Sequence, residues 1–136
     1  MPTILPYLLS YAVGLATFLL VDLLWIGIIA RGFYRKALAG FLREEFLLGP
    51  AVLFYLCYVA ILCYLVVVPA FEAGQFRRLL LGAALFGLAA YGTYDITNYA
   101  LLKGWPLSVT LADMAWGSIV TSVSAISAYV TLRLMQ

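Results

Sequence analysis

Residues 50–69, PAVLFYLCYVAILCYLVVVP, decide the fold, because they form an apolar run of twenty residues without one charged side chain. An α-helix rises about 1.5 Å per residue, so a run of this length crosses the roughly 30 Å hydrocarbon core of a bilayer. A proline opens the run and another closes it, and proline is typical of helix ends. The stretch therefore predicts one membrane-spanning helix.

The rest of the chain has the composition of a membrane protein. Of its 136 residues, 66% are hydrophobic and only 10% are charged, and the mean hydropathy is +1.07. About a quarter of the residues in a soluble domain are charged, and one small core cannot bury so many apolar side chains. We predict an all-α integral membrane four-helix bundle, a single transmembrane domain over residues 1–136. Its expected spans are about 4–30, 50–69, 77–102 and 106–132.

The segments outside the spans give expectations about topology. The first apolar run is too long for a signal peptide and has no basic flank, so we expect a retained first span. Residues 31–46, RGFYRKALAGFLREEF, place apolar side chains at helical spacing among basic ones. This pattern predicts a short interfacial amphipathic helix, with a helical extension of span one as the alternative. Loops one and three carry five Lys and Arg residues, which favours a cytoplasmic location for them, although the bias also allows dual topology.

Several functional classes lack their usual signatures in this chain. No run of Lys and Arg exceeds two residues, so no nucleic-acid partner is expected. The chain has no histidine, the commonest ligand of haem, zinc and copper. Cys57 and Cys63 lie about 9 Å apart along one predicted helix, too far for a disulfide. No metal and no cofactor is predicted.

Three aspartates, Asp22, Asp95 and Asp113, lie inside the predicted spans. Each lies roughly 10–14 Å from the helix end on the side of loops one and three, so the three share one depth. An aspartate at a span centre costs about 2.5–3.5 kcal/mol, and no Lys or Arg lies within a span to pair with it. We therefore expect the acids to converge on a polar chamber, hydrated, protonated or paired with a cation. The alternative is a hydrogen-bonded network that fixes helix register and binds no ligand.

The neighbours of the aspartates favour a built site. Tyr91, Asn98 and Tyr99 share a helical face with Asp95, and a tryptophan follows each of the other two aspartates by three residues. No catalytic residue is assigned. The predicted ligand- or proton-binding residues are Asp22, Asp95, Asp113, Asn98, Tyr91, Tyr99, Trp25 and Trp116.

Three stretches carry a resemblance to a known family. They are Asp22 with Trp25, YDITNYA at residues 94–100, and DMAWG at residues 113–117. With them the chain resembles, over nearly its whole length, small bacterial inner-membrane proteins grouped as domain-of-unknown-function family 2177. The resemblance implies four spans and a multi-pass location in the bacterial inner (cytoplasmic) membrane. It implies no activity.

Three functional hypotheses remain open at the level of sequence. The first, which we favour, is a proton- or cation-linked carrier of a small solute, with a hydrophobic or cationic molecule as partner and a homodimer as working unit. The second is a membrane-embedded enzyme that acts on a lipid or isoprenoid by aspartate acid–base chemistry. The third is a non-catalytic accessory subunit of a membrane complex. The bilayer is a partner in all three.

Overall fold

The computed structural model describes residues 3–136, and helices dominate it. Four of the helices are long and apolar enough to cross a membrane, which confirms the predicted four-helix membrane bundle. A fifth, short helix follows the first span. In chain order the helices are α1 (Leu5–Ile29), α2 (Arg31–Ala37), α3 (Leu48–Ala73), α4 (Phe76–Leu101) and α5 (Leu107–Met135).

The predicted span limits agree with these helices to within a few residues, and the largest difference is at the end of α3. Pro69 was expected to end this helix, but α3 continues to Ala73. A π turn, Cys63–Val67, ends two residues before the proline and accommodates it, because a wider turn tolerates the missing N–H donor and reduces the clash of the proline ring. The helix ends at Gly74, whose φ of 65° is left-handed and suits glycine.

The loop after α1 forms less helix than the sequence predicted. The amphipathic helix expected within residues 31–46 is limited to Arg31–Ala37, and residues 38–47 form turns and irregular backbone. A π turn, Trp25–Ile29, ends α1, and Ala30 then changes the direction of the chain. As a result, α2 lies across the end of the bundle, where Leu38 packs in a buried cluster with Trp105 and Val109.

Helix α5 is central, since it packs along both α1 and α4. Small residues let these backbones approach: a Cβ at Gly87 of α4 would overlap the backbone carbonyl oxygen of Gly117. Hydroxyls join α1 and α5, because Ser10 donates to the carbonyl of Ala128 at 2.7 Å and Ser124 donates to that of Gly14 at 2.8 Å. Three spans therefore form one closely packed layer.

Helix α3 packs in two different ways along its length. Its first part, Leu48–Leu62, contacts the backbone of α1, whereas Cys63–Ala73 provides most of its contacts with α4 and α5. Tyr58 bridges part of the separation, and its hydroxyl lies 2.8 Å from that of Thr121. The first part of α3 therefore diverges from α4 and leaves space between them.

Candidate functional site

A cavity of about 330 Å³ occupies this space, near the end of the bundle that α2 crosses. This volume lies at the small end of the range for ligand pockets. Residues from α1, α3, α4 and α5 line it, and none of the described residues in the lining is Lys or Arg. The lining consists of Asp22, Ile26, Phe54, Tyr55, Ala90, Tyr91, Tyr94 and Asp113.

Asp22 is held as a hydrogen-bond acceptor on α1. It is only 3% exposed, and each of its carboxylate oxygens accepts one hydrogen bond. The Tyr55 hydroxyl donates to Oδ2 at 2.5 Å, and the Trp116 indole N–H donates to Oδ1 at 3.0 Å. Hydrogen bonds to a carboxylate are shorter and stronger than those between neutral groups. Asp22 is therefore a satisfied acid in a fixed orientation.

Asp113 on α5 is fixed by a residue from outside the spans. The Tyr34 hydroxyl of α2 donates to Asp113 Oδ1 at 3.0 Å, and it accepts a hydrogen bond from the Trp25 indole N–H at 3.3 Å. Burial raises the pKa of Tyr34, and the negative charge of Asp113 raises it further, so this phenol stays protonated and continues to donate. Helix α2 thus contributes directly to the site.

Asp95 on α4 has a different environment from the other two aspartates. It is fully buried, and neither of its carboxylate oxygens has a hydrogen-bond donor within residues 3–136. Its side chain lies beside that of Asp113. Two ionised carboxylates are both acceptors, so this contact becomes a hydrogen bond only when one of the two carries a proton. A proton on either carboxyl group would therefore join the two acids.

Two stacked indoles connect the acids. The rings of Trp25 and Trp116 lie 4.5 Å apart between centroids, with an angle of 11° between their planes. One indole donates to Asp22, and the other donates to the tyrosine that holds Asp113. The three aspartates therefore belong to one continuous network of polar and aromatic side chains. Their role in binding stays a prediction.

The structure brings together six of the eight residues that the sequence predicted for the site. These are the three aspartates, the two tryptophans and Tyr91, which lines the cavity. It does not bring in the other two. Asn98 lies beside Tyr94 rather than in the lining, and Tyr99 is 48% exposed on the outside of the bundle.

Sequence reasoning missed two residues that hold the aspartates, Tyr34 and Tyr55. A tyrosine in an apolar segment carries a hydroxyl that needs a partner, and this need is the signal that could have indicated Tyr55. The signal is not selective, because the chain has ten tyrosines. Tyr34 lies within the predicted interfacial helix, residues 31–46, and nothing in that pattern indicates that its side chain turns back toward a span.

The oxygen-rich lining raises the question of a metal. Within the part of the chain that the structure describes, no three His, Cys, Asp or Glu side chains lie together as a group that could hold a metal ion. The site contains carboxylates, phenols and indoles, and these groups can bind cations through charge and through aromatic faces and can exchange protons.

Comparisons with known proteins agree with the architecture. Neither the curated proteins nor the solved structures contain a match to the chain. A family model described as "Predicted membrane protein (DUF2177)" matches residues 7–130, a range that includes the three aspartates and both stacked tryptophans. Since the match covers most of the sequence, the chain belongs to this family of multi-pass membrane proteins, as the resemblance in its sequence predicted.

Proposed function

We propose that this protein is a proton-linked carrier of a small cationic solute, which binds in the cavity between α1, α3, α4 and α5. The observation that carries the proposal is the presence of two carboxylates, Asp22 and Asp113, in a lining with no basic side chain among the described residues. Intramembrane acids without a basic partner are typical of ion and proton pathways. A cationic solute would supply the missing positive charge.

The aromatic walls support an organic cation rather than a bare metal ion. Phe54, Tyr55, Tyr91 and Tyr94 all line the cavity. The face of an aromatic ring attracts a cation, and the attraction strengthens when water is excluded. The structure describes no three-ligand metal cluster within residues 3–136, so charge and ring faces together are the recognition that the cavity offers.

The contact between Asp95 and Asp113 supplies the link to protons. Asp113 lies in the cavity lining, whereas Asp95 is fully buried behind it. A proton shared by the pair neutralises one of the two charges when the cavity is empty. A cation that approaches Asp113 provides that neutralisation instead, so the shared proton is released. Binding of the solute and binding of the proton thus oppose each other, as an exchanger requires.

The experiment measures cation binding and proton release together. Purified protein in nanodiscs is titrated with tetraethylammonium in a weakly buffered solution that contains a pH-sensitive dye. We expect saturable binding with release of about one proton for each cation bound. Asp113→Asn should abolish the release, whereas Glu72→Gln, an exposed acid at the far end of α3, should leave it unchanged. Binding without any proton release, or release that persists in Asp113→Asn, would contradict the proposal.

A second candidate is an enzyme that acts on a lipid or isoprenoid. The two acids in the lining have different hydrogen-bond partners, and this difference favours the candidate. Asp22 accepts two hydrogen bonds, whereas Asp113 accepts one and lies beside Asp95, and acid–base chemistry uses two acids in different environments. The lipid profile of a deletion strain tests this candidate. A missing lipid that wild type restores and Asp22→Asn does not would favour the enzyme, and an unchanged profile would favour the carrier.

The proposal also includes the location of the protein and its oligomeric state. The family resemblance supports the bacterial inner membrane as the location, and the small size of the bundle supports a homodimer as the working unit. Both stay predictions. Fractionation of the native membranes tests the first, and chemical cross-linking in those membranes tests the second.

A further inference from the structure

We propose that the solute is an amphiphile, with a cationic head and an apolar tail, and that it enters sideways from the bilayer between the first part of α3 and α4. This inference rests on the cation binding proposed above and identifies the class of cation. It follows from three features: where the cavity is open, where it is covered, and how polar and apolar groups are distributed in its lining.

The opening lies on the lipid-facing side of the bundle. Ile26, Phe54 and Tyr94 line the cavity, yet they are 41%, 51% and 56% exposed on the surface of the bundle. All three lie within membrane spans, so their exposed surfaces face the acyl chains. The backbone of Leu48–Leu62 diverges from α4 at this position. The cavity wall is therefore continuous with the lipid-facing surface.

The end of the bundle toward the loops is covered. Helix α2 crosses it, and Tyr34 extends from α2 to Asp113. Beside this contact, Leu38, Trp105 and Val109 form a cluster in which each residue is at most 8% exposed. Entry from water at this end requires displacement of packed side chains, whereas entry from the bilayer passes between helices that already diverge.

The lining is polar on its inner side and apolar toward the opening. Asp22 is almost fully buried and lies beyond the apolar side chains of the opening. An ammonium head that reaches the carboxylates leaves its tail between Phe54 and Tyr94, where aromatic surface and lipid both favour an alkyl chain. At about 330 Å³ the cavity suits a head group and the start of one chain, and the remainder of the tail stays in the bilayer.

The test uses a cation that stays in the membrane. Hexadecyltrimethylammonium is incorporated at a low mole fraction into nanodiscs that contain the protein, and proton release is recorded against nanodiscs without protein. Hexadecyl sulfate, which has the same tail and the opposite charge, is the matched ligand control. We expect proton release with the cationic amphiphile and none with the sulfate.

Two neighbouring alanines on α4 provide matched variants. Ala90 lines the cavity, whereas Ala89 faces outward and is exposed. Ala90→Phe should fill the cavity and weaken amphiphile binding by about tenfold or more, while Ala89→Phe should change it by less than about twofold. If Ala90→Phe does not fold, the smaller change Ala90→Leu takes its place, because it also occupies the cavity and leaves the acids unchanged.

The outcomes separate this inference from the proposed function. Proton release by tetraethylammonium but not by the membrane-held amphiphile overturns the lateral route and leaves the carrier proposal in place. Release by neither ligand overturns both. Release by the amphiphile that Ala90→Phe does not reduce, with the variant folded, places binding elsewhere and overturns the inference.

Discussion

Replacement of two buried aspartates by asparagine should change stability in opposite directions. The change in side-chain size is the same for Asp22→Asn and Asp95→Asn, and both residues are buried within a span. Their hydrogen bonds differ. Asp22 accepts from Tyr55 and Trp116, one donor at each oxygen, whereas both oxygens of Asp95 lack a donor within residues 3–136.

The size of each effect follows from counting donors and acceptors. Asparagine has one acceptor oxygen and a donating NH₂, so Asp22→Asn keeps the oxygen toward Trp116, makes the Tyr55 hydroxyl an acceptor, and replaces two hydrogen bonds to a charged group by two neutral ones. That loss is about 2 kcal/mol. Asp95→Asn instead provides an N–H that donates to Asp113 without a shared proton, a gain of about 1 kcal/mol at neutral pH. The two variants should therefore differ in unfolding free energy by about 3 kcal/mol.

Unfolding in detergent micelles, followed by circular dichroism, measures the difference. For a chain of this size a gap of about 3 kcal/mol corresponds to transition temperatures about 10 °C apart. Glu72→Gln, an exposed acid, provides the control and should lie within about 0.5 kcal/mol of wild type. Equal losses of stability in the two aspartate variants would refute the reasoning, because Asp95 would then have a partner as good as those of Asp22. Asp95→Asn should also lose proton release in the cation titration.

Three further predictions concern the surroundings of the acids. Burial raises the pKa of Tyr34 above its ordinary value of 10.0, so the unfolded chain loses this proton at a lower pH than the folded chain. The unfolding free energy should therefore fall above about pH 10. Unfolding of Tyr34→Phe, measured from pH 8 to 11, should show a smaller fall. Gly87→Ala should destabilise the bundle by about 1–3 kcal/mol, because the new methyl meets the facing backbone of α5, whereas Gly32→Ala, with open space around it, should not destabilise. Trp116→Phe removes the donor to Asp22 but keeps a ring in the stack, so a double-mutant cycle with Asp22→Asn should give a coupling of about 0.5–3 kcal/mol; additive losses would contradict it.

The sequence predicts the spans well because their signal is local and strong. A run of about twenty apolar residues rarely forms anything other than a membrane helix, and proline and glycine mark where such a helix ends. Pro69 shows the limit of this reasoning. A proline stops most helices, but the π turn Cys63–Val67 lets α3 continue, and the preference for a wide turn is not visible in its apolar side chains.

The depth of each aspartate within its span was also predictable from the sequence, because depth follows from the number of residues to the helix end. The direction of the side chains around them was not. Tyr91 and Tyr99 were assigned to the same helical face, yet Tyr91 lines the cavity and Tyr99 lies outside it. Residues eight apart on a helix drift by tens of degrees, and a cavity formed by four helices is narrow enough for this drift to exclude one of them.

The residue that matters most beyond the spans is Tyr34, and its position constrains how the site can work. It lies on α2, yet its hydroxyl holds Asp113, the acid that contacts both the cavity and Asp95. Any movement of α2 away from the bundle removes a hydrogen bond from Asp113 and uncovers the acid pair on the loop side. In the carrier proposed above, such a movement would open the site toward the loops. The cavity is exposed beside α3 and covered beside α2, so the lateral entry proposed above and an opening at α2 would lie on different sides of Asp113.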